Sequence, residues 1–401
     1  MHHIWKRVDL TVWSRNLTLF ACAVFLDRFG QGILGGARMN FFVDTLGLSN
    51  SQVLWLEGIR EVPGLVLIFI AALTMLLPLA WQGAVALLLM GAGFTLYAVV
   101  GSYSALLVVV MVDSLGFHLW TPLNSAIGMS LSAKKNTGQV LGMLASVGSL
   151  ASIVGMIAIS VISRFFETMP LTNYYVIGGV SIMLAALLVA RLPKNLGATK
   201  EKPARILLKR RYWLYYVLIF FSGARKLVLG SFITLVLVQD YDLKVWQVST
   251  LMLVSSVLTL LISPVLGGLI DRLGERVTTP ASYAILALCC VGYAVIPNLW
   301  VLLVLWTLIK LAAPLGMGLS TYVYRTAPPE ELAPTLTAGV TFDHISSVSV
   351  PFLAGALLPI IDYSGVFLAT AALILLSIPF ARALQVQAPA VLQPAPVAVE
   401  S

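Results

Sequence analysis

Twelve ionisable side chains interrupt long apolar runs of this sequence: Asp27, Arg28, Glu57, Arg60, Glu61, Asp113, His118, Arg225, Lys226, Lys310, Asp343 and His344. Their chemistry is proton binding, ion pairing and anion recognition. A carboxylic acid held away from water offsets its desolvation by taking up a proton. Imidazole titrates near neutrality. A guanidinium offers a planar fork of donors that fits carboxylate or phosphate. The five acids in this set equal the five lysines and arginines, which predicts internal pairing.

Position separates these residues into groups. Glu57, Arg60 and Glu61 lie on one helix face, with Glu57 and Arg60 at the i, i+3 spacing of an ion pair, and are read as structural. Asp27, Asp113, Arg225, Lys310 and Asp343 fall near the middles of their runs, where structural pairing gives way to solute or proton handling. Asp27 is expected to carry the coupling proton, with Asp113 and Asp343 next in line. Arg28 points about 100° away from Asp27 on a helix, so one of the two is expected to serve packing. Lys226, His118 and His344 are further candidates for the same pathway, each with the alternative of a satisfied polar group in a helix bundle.

Other chemistry is excluded. Asp113 with His118, and Asp343 with His344, have the wrong spacing for joint ligation, so no metal site is expected. No phosphate-binding loop for a nucleotide is present. No nucleophile and base come together. The sequence therefore reads as neither an enzyme nor an ATP-driven pump, and it implies no cofactor. Cys22, Cys289 and Cys290 sit in apolar runs and form no disulfide framework.

The elements that position these residues are helices in a bilayer. The chain of 401 residues is 59% hydrophobic and 10% charged, against about 25% charged in an ordinary soluble domain. Its apolar runs approach 20 residues, the length that crosses a ~30 Å hydrocarbon layer. Helices are expected at 16–38, 51–76, 82–100, 104–128, 138–163, 173–191, 213–238, 246–270, 279–296, 299–323, 335–360 and 363–384. The first run lacks a cleavage site for a signal peptide.

The net charge of +8 is a matter of topology rather than of nucleic-acid binding. Lys6, Arg7 and Arg15 precede the first helix, and Lys134 and Lys135 follow the fourth. A basic cluster from Arg191 to Arg211 fills the middle linker. Arg272, Arg276, Arg325 and Arg382 fall on the same side. The positive-inside rule places that side, with both termini, in the cytoplasm.

The linker at 192–212 divides the chain into six-helix halves, 1–191 and 213–385, followed by a disordered tail at 386–401. The halves share features at near-constant offsets, 195 for the first pair below and 200 for the second. Leu46-Gly47-Leu48-Ser49-Asn50-Ser51-Gln52-Val53 opens the second helix, and Tyr241-Asp242-Leu243-Lys244-Val245-Trp246-Gln247-Val248 opens the eighth. Leu115-Gly116 has a counterpart in Leu315-Gly316. A parallel repeat is the reading.

Between the eighth and ninth helices runs Gly267-Gly268-Leu269-Ile270-Asp271-Arg272-Leu273-Gly274-Glu275-Arg276. It resembles the loop signature of the major facilitator superfamily, Gly-x-Leu-x-Asp-Arg-x-Gly-Arg-Arg. The resemblance implies an all-α membrane protein of twelve helices in two halves. It implies a conformational gate at Gly267, Asp271, Arg272 and Gly274, and a cavity lined by the first, fourth, seventh and tenth helices. The equivalent first-half segment, Ala72 to Leu79, lacks the Asp and Arg.

The run Phe25-Leu26-Asp27-Arg28-Phe29-Gly30-Gln31-Gly32 is similar to the first helix of drug and proton antiporters of that family, and adds Gln31 to the pathway. The fifth helix carries Gly142, Gly148 and Gly155 without the antiporters' Gly-Pro pair. The function implied is alternating-access transport of a small polar or charged solute, coupled to protons, by a monomer in a bacterial inner membrane. Drug efflux, organic-anion exchange and a transporter-like receptor or scaffold are the alternatives.

Overall fold

A computed structural model describes residues 13–67, 77–133, 136–197, 208–312, 314–315 and 318–384. The expectations for Lys134 and Lys135, the stretch 72–76, Gly316, most of the linker and the tail at 386–401 lie outside these residues. The described residues form helices and no strand. The helices are α1 (Arg15–Asn40), α2 (Asn50–Leu65), α3 (Leu79–Leu96), α4 (Tyr103–Ser130), α5 (Thr137–Phe165), α6 (Leu171–Val189), α7 (Trp213–Lys226), α8 (Ile233–Gln239), α9 (Val245–Leu273), α10 (Glu275–Val295), α11 (Leu299–Ala312), α12 (Gly318–Thr326) and α13 (Pro329–Arg382). Among the described residues, nine helical segments are long and apolar enough to cross a membrane.

Helix starts follow local chemistry. Ser14 and Ser102 accept hydrogen bonds from the backbone N–H groups of Leu17 and Ala105, satisfying donors that a helix leaves free at its first turn. Ser49 and Gln52 form a reciprocal capping box at α2. Its counterpart appears at the offset read in the sequence. Gln52 Oε1 accepts from Ser49 N at 2.9 Å, and Gln247 Oε1 accepts from Lys244 N at 2.8 Å. The paired octets thus share a helix-start geometry as well as a composition.

Several expected helices are interrupted. The seventh, read as continuous over 213–238, changes winding at Val228–Phe232, a π-helical turn between α7 and α8. The tenth, read as 299–323, is two helices, α11 and α12. Pro314 lies between them, and proline breaks the i→i−4 ladder. The last two run on as the single element α13, but Asp362 at φ 54°, ψ −177° breaks its backbone at the expected junction.

The chain packs as two compact units. The first comprises the described residues through 197 together with 231–257 and 351–356. The sequence halves do not anticipate these two additions. Side-chain bonds account for them: Asn40 Nδ2 donates to the Leu243 carbonyl at 2.8 Å, the Ser160 and Thr250 hydroxyls lie 2.6 Å apart, and Trp55 Nε1 donates to the Phe352 carbonyl at 3.4 Å. In this unit α1 packs against α5 and α6, and α3 against α4 and α6. A side chain at Gly155 would strike the Phe29 carbonyl of α1, so glycine permits that crossing.

The second unit comprises the described residues of 202–230, 258–350 and 357–401. Here α10 packs against α11 and α12. In both units large apolar side chains face outward, among them Leu88, Leu187, Leu261, Leu288 and Ile360. A lipid-facing helix surface needs this pattern.

Candidate functional site

In the first unit, Asp27 of α1 is fully buried, and its carboxylate is well served. Oδ1 accepts from Gln31 Nε2 at 2.7 Å. Oδ2 accepts from Trp120 Nε1 of α4 at 2.9 Å, and Arg28 Nε lies 3.7 Å from it. The sequence argument separated Asp27 from Arg28 by helical angle. The structure pairs them, because the arginine side chain is long enough to fold back around the helix.

Asp113 of α4 is equally buried but poorly served. Oδ1 lies a long 3.4 Å from the Tyr97 hydroxyl, and Oδ2 is buried with no hydrogen-bond partner among the described residues. A side chain at Gly93 on α3 would come within 2.7 Å of the Asp113 Cβ, so α3 presses directly on it. Tyr97 stacks on Tyr175 with ring centroids 4.8 Å apart, and Phe41 lies 4.3 Å from Tyr175. Asp113 therefore borders a buried aromatic cluster. Five residues on from Asp113, His118 Nδ1 lies 2.8 Å from the Ser114 carbonyl oxygen and 3.1 Å from its hydroxyl. The Ser114 hydroxyl also donates to the Arg60 carbonyl.

Glu57 and Arg60 pair as the spacing requires, at 3.2 Å. Two partners went unforeseen. Arg38 Nη2 of α1 lies 3.7 Å from Glu57 Oε1, and Ser231 of the π-helical turn donates to Glu57 Oε2 at 3.0 Å. Arg38 Nη2 also donates to Ser231 Oγ at 3.2 Å. Glu57 thereby ties α1, α2 and the turn at 228–232 together. Glu61 is half-buried one helical turn further on.

In the second unit, Lys226 Nζ lies 3.7 Å from Asp343 Oδ2. Lys310 Nζ donates to the Leu229 carbonyl at 3.4 Å and sits 4.6 Å from the Trp306 ring centroid. Arg225 is buried, with its guanidinium carbon 4.0 Å from the Tyr283 ring centroid. His344 is buried on α13.

The four signature residues lie along the end of α9 and at its turn into α10. Gly274 adopts φ 74°, a conformation that suits glycine, and turns the chain from α9 into α10. Asp271 Oδ1 accepts from Arg325 Nη2 of α12 at 3.0 Å. Arg325 Nη1 also reaches Glu275 Oε1 at 3.3 Å. Arg272 is exposed, and Gly267 lies within α9.

Sequence reasoning missed Trp120, Tyr97, Arg38, Ser231, Tyr283 and Arg325. Arg38 carried a usable signal, since it closes the same predicted helix that holds Asp27. The aromatic partners carried none, because Trp and Tyr are common in such helices.

Membrane-length helices with lipid-facing apolar surfaces and buried, mutually bound charges define an integral multi-pass membrane protein. The sequence profile of the Major Facilitator Superfamily matches residues 20–297 and 215–398, and the chain belongs to that superfamily of transporters. No curated protein sequence matches it. Among solved structures it is similar to the nucleoside transporter NupG (15% identity, TM-score 0.74, covering 92% of this chain and 99% of that one). It is also similar to a bacterial homologue of the human lysosomal transporter Spinster (14% identity, TM-score 0.70, 91% and 94% covered). A POT family transporter in complex with a thioalcohol-conjugated peptide matches with 9% identity, TM-score 0.74 and 91% and 95% coverage. These likenesses are of fold.

Proposed function

We propose that this protein moves a small polar or charged solute across a bacterial plasma membrane by alternating access, and that a proton drives it. It works as a monomer with both termini and the linker in the cytoplasm, and Asp271, Arg272, Gly267 and Gly274 form a gate on that side. The observation that carries proton coupling is the contrast between two buried carboxylates. Asp27 is occupied by Gln31, Trp120 and Arg28. Asp113 has a bare oxygen.

Protonation of that oxygen removes a charge from the interior, which biases a helix bundle between two states. Tyr97 touches Asp113 directly, and Arg60, Arg38 and Tyr175 supply the surrounding charged and titratable groups. On this reading the coupling proton belongs to Asp113 rather than to Asp27.

The test is solute flux in proteoliposomes with and without an imposed pH gradient, using labelled uridine, alanyl-alanine and succinate as probes. Asp113→Asn is expected to abolish accumulation against the gradient and to retain downhill exchange. A variant that still accumulates solute removes Asp113 from the coupling step. Absence of flux for every probe, in the wild type, favours a receptor or scaffold.

A further inference from the structure

Within the second unit, three basic residues of the helices have polar partners. Lys226 faces Asp343, Lys310 meets a backbone carbonyl, and Arg325 meets two carboxylates. Arg225 differs. It is 6% exposed, its Nη1 is buried, and that nitrogen has no hydrogen-bond partner among the described residues. The contact recorded for its guanidinium is the face of Tyr283, 4.0 Å away. Tyr283 is itself fully buried, and its hydroxyl likewise has no partner among the described residues. Two unsatisfied donor groups thus share one aromatic ring, Arg225 on α7 and Tyr283 on α10.

An acid or a lysine in this position could shed its charge by gaining or losing a proton. A guanidinium keeps its charge in proteins. Cation–π contact with a ring offsets only part of the desolvation of a buried cation. The remaining demand is for an oxyanion that accepts from Nη1 and from the Tyr283 hydroxyl.

We infer that Arg225 and Tyr283 form a subsite for an oxyanion, the carboxylate or phosphate group of the transported solute. The inference rests on the transport reading and narrows its solute to an organic or inorganic anion. The ring lies beneath the guanidinium, and its hydroxyl is a second donor without a partner among the described residues. Arginine forks bind carboxylate and phosphate.

The experiment is a binding titration of the full chain in nanodiscs, read by intrinsic tryptophan fluorescence and by thermal shift at constant ionic strength. The probes are inorganic phosphate, succinate and uncharged uridine. Phosphate or succinate is expected to bind the wild type and to lose measurable binding in Arg225→Gln. Tyr283→Phe keeps the ring and loses only the hydroxyl, and it is expected to weaken the anion about tenfold, within the range of a hydrogen bond to a charged group. If Arg225→Gln fails to fold, Tyr283→Phe and Arg225→Lys decide the question.

Anion binding unchanged in these variants, or absent from the wild type, overturns the subsite. So does its equal loss in Asp343→Asn, which would make Arg225 the partner of that acid. Discs of phosphatidylcholine are compared with discs containing phosphatidylglycerol. Displacement of phosphate by the anionic lipid assigns the subsite to a headgroup and overturns the solute assignment. Uridine flux in proteoliposomes without anion binding refutes the subsite and leaves the transport reading standing.

Discussion

The indole N–H of Trp120 donates to the carboxylate of Asp27 at 2.9 Å, joining α4 to α1 across 93 residues of sequence. Both side chains are buried, at 1% and 0% exposure. The bond supplies one of the polar contacts of a carboxyl group buried inside the bundle. Trp120→Phe keeps the ring volume roughly and removes the donor. It is expected to cost about 1–3 kcal/mol, the penalty for an unsatisfied buried group, seen as a lower unfolding temperature in detergent. Coupling is expected to survive in the protein that folds. Equal stability of the variant and the wild type would show that the bond contributes nothing net.

Glu57 is the next point of leverage. It accepts from Arg60 and Ser231 and faces Arg38. Glu57→Gln leaves two arginines without their carboxylate in a largely buried place, and removing one member of a buried pair costs about 3–5 kcal/mol. Arg38→Gln combined with Glu57→Gln should recover part of that loss. A double-mutant cycle of thermal stability measures it, and simple additivity would mean that Arg38 and Glu57 do not interact.

Glu331 provides a prediction in pH. Hydrogen bonds from Lys209, then from Arg211 and Tyr212, hold its carboxyl down to about 2. A carboxyl lowered in the folded protein stabilises it above the unfolded value of about 4.3, and that contribution is lost as pH falls from there toward 2. Docking of the chain near Arg211 onto the start of α13 should therefore be constant from pH 7 to 5 and weaken below about 4.5. Trp213 fluorescence reports it. In Glu331→Gln the same signal is expected to lose this acid transition, and an unchanged transition would assign it to another group.

Much of this was legible in the sequence, for reasons specific to particular residues. The apolar runs gave the helices because a bilayer tolerates few other backbones. The likeness of the Gln52 and Gln247 octets was legible because helix starts depend on local side-chain bonds. Glu57 with Arg60 was legible because it lies within one turn. Arg38, Trp120 and Tyr283 were not, because their partners lie on other helices and depend on how those helices rotate and cross. The π-helical turn at 228–232 and the break at Asp362 were hidden in runs of ordinary apolar residues. Asp27 and Asp113 read alike in sequence, and only their hydrogen bonds separate them.

The last prediction concerns the turn from α9 to α10. Asp271 meets Arg325, which also holds Glu275, and Gly274 at φ 74° makes the turn possible. Asp271→Asn keeps the shape and removes the charge. The pair is exposed on the Asp271 side, so its loss is expected to cost at most about 1 kcal/mol of stability. Its effect on conformation is larger if the turn is a gate, because a two-state equilibrium responds about tenfold to 1.4 kcal/mol. The variant should become more accessible to an impermeant thiol reagent from the cytoplasmic face, at a single cysteine placed in a background lacking Cys22, Cys289 and Cys290, and exchange flux should change with it. Gly274→Ala is expected to act in the same direction through strain, since a side chain at φ 74°, ψ 165° occupies a nearly glycine-only region at a cost of about 1–3 kcal/mol. If Asp271→Asn leaves accessibility and flux unchanged while Gly274→Ala only lowers stability, the turn is a structural corner and the gate lies elsewhere.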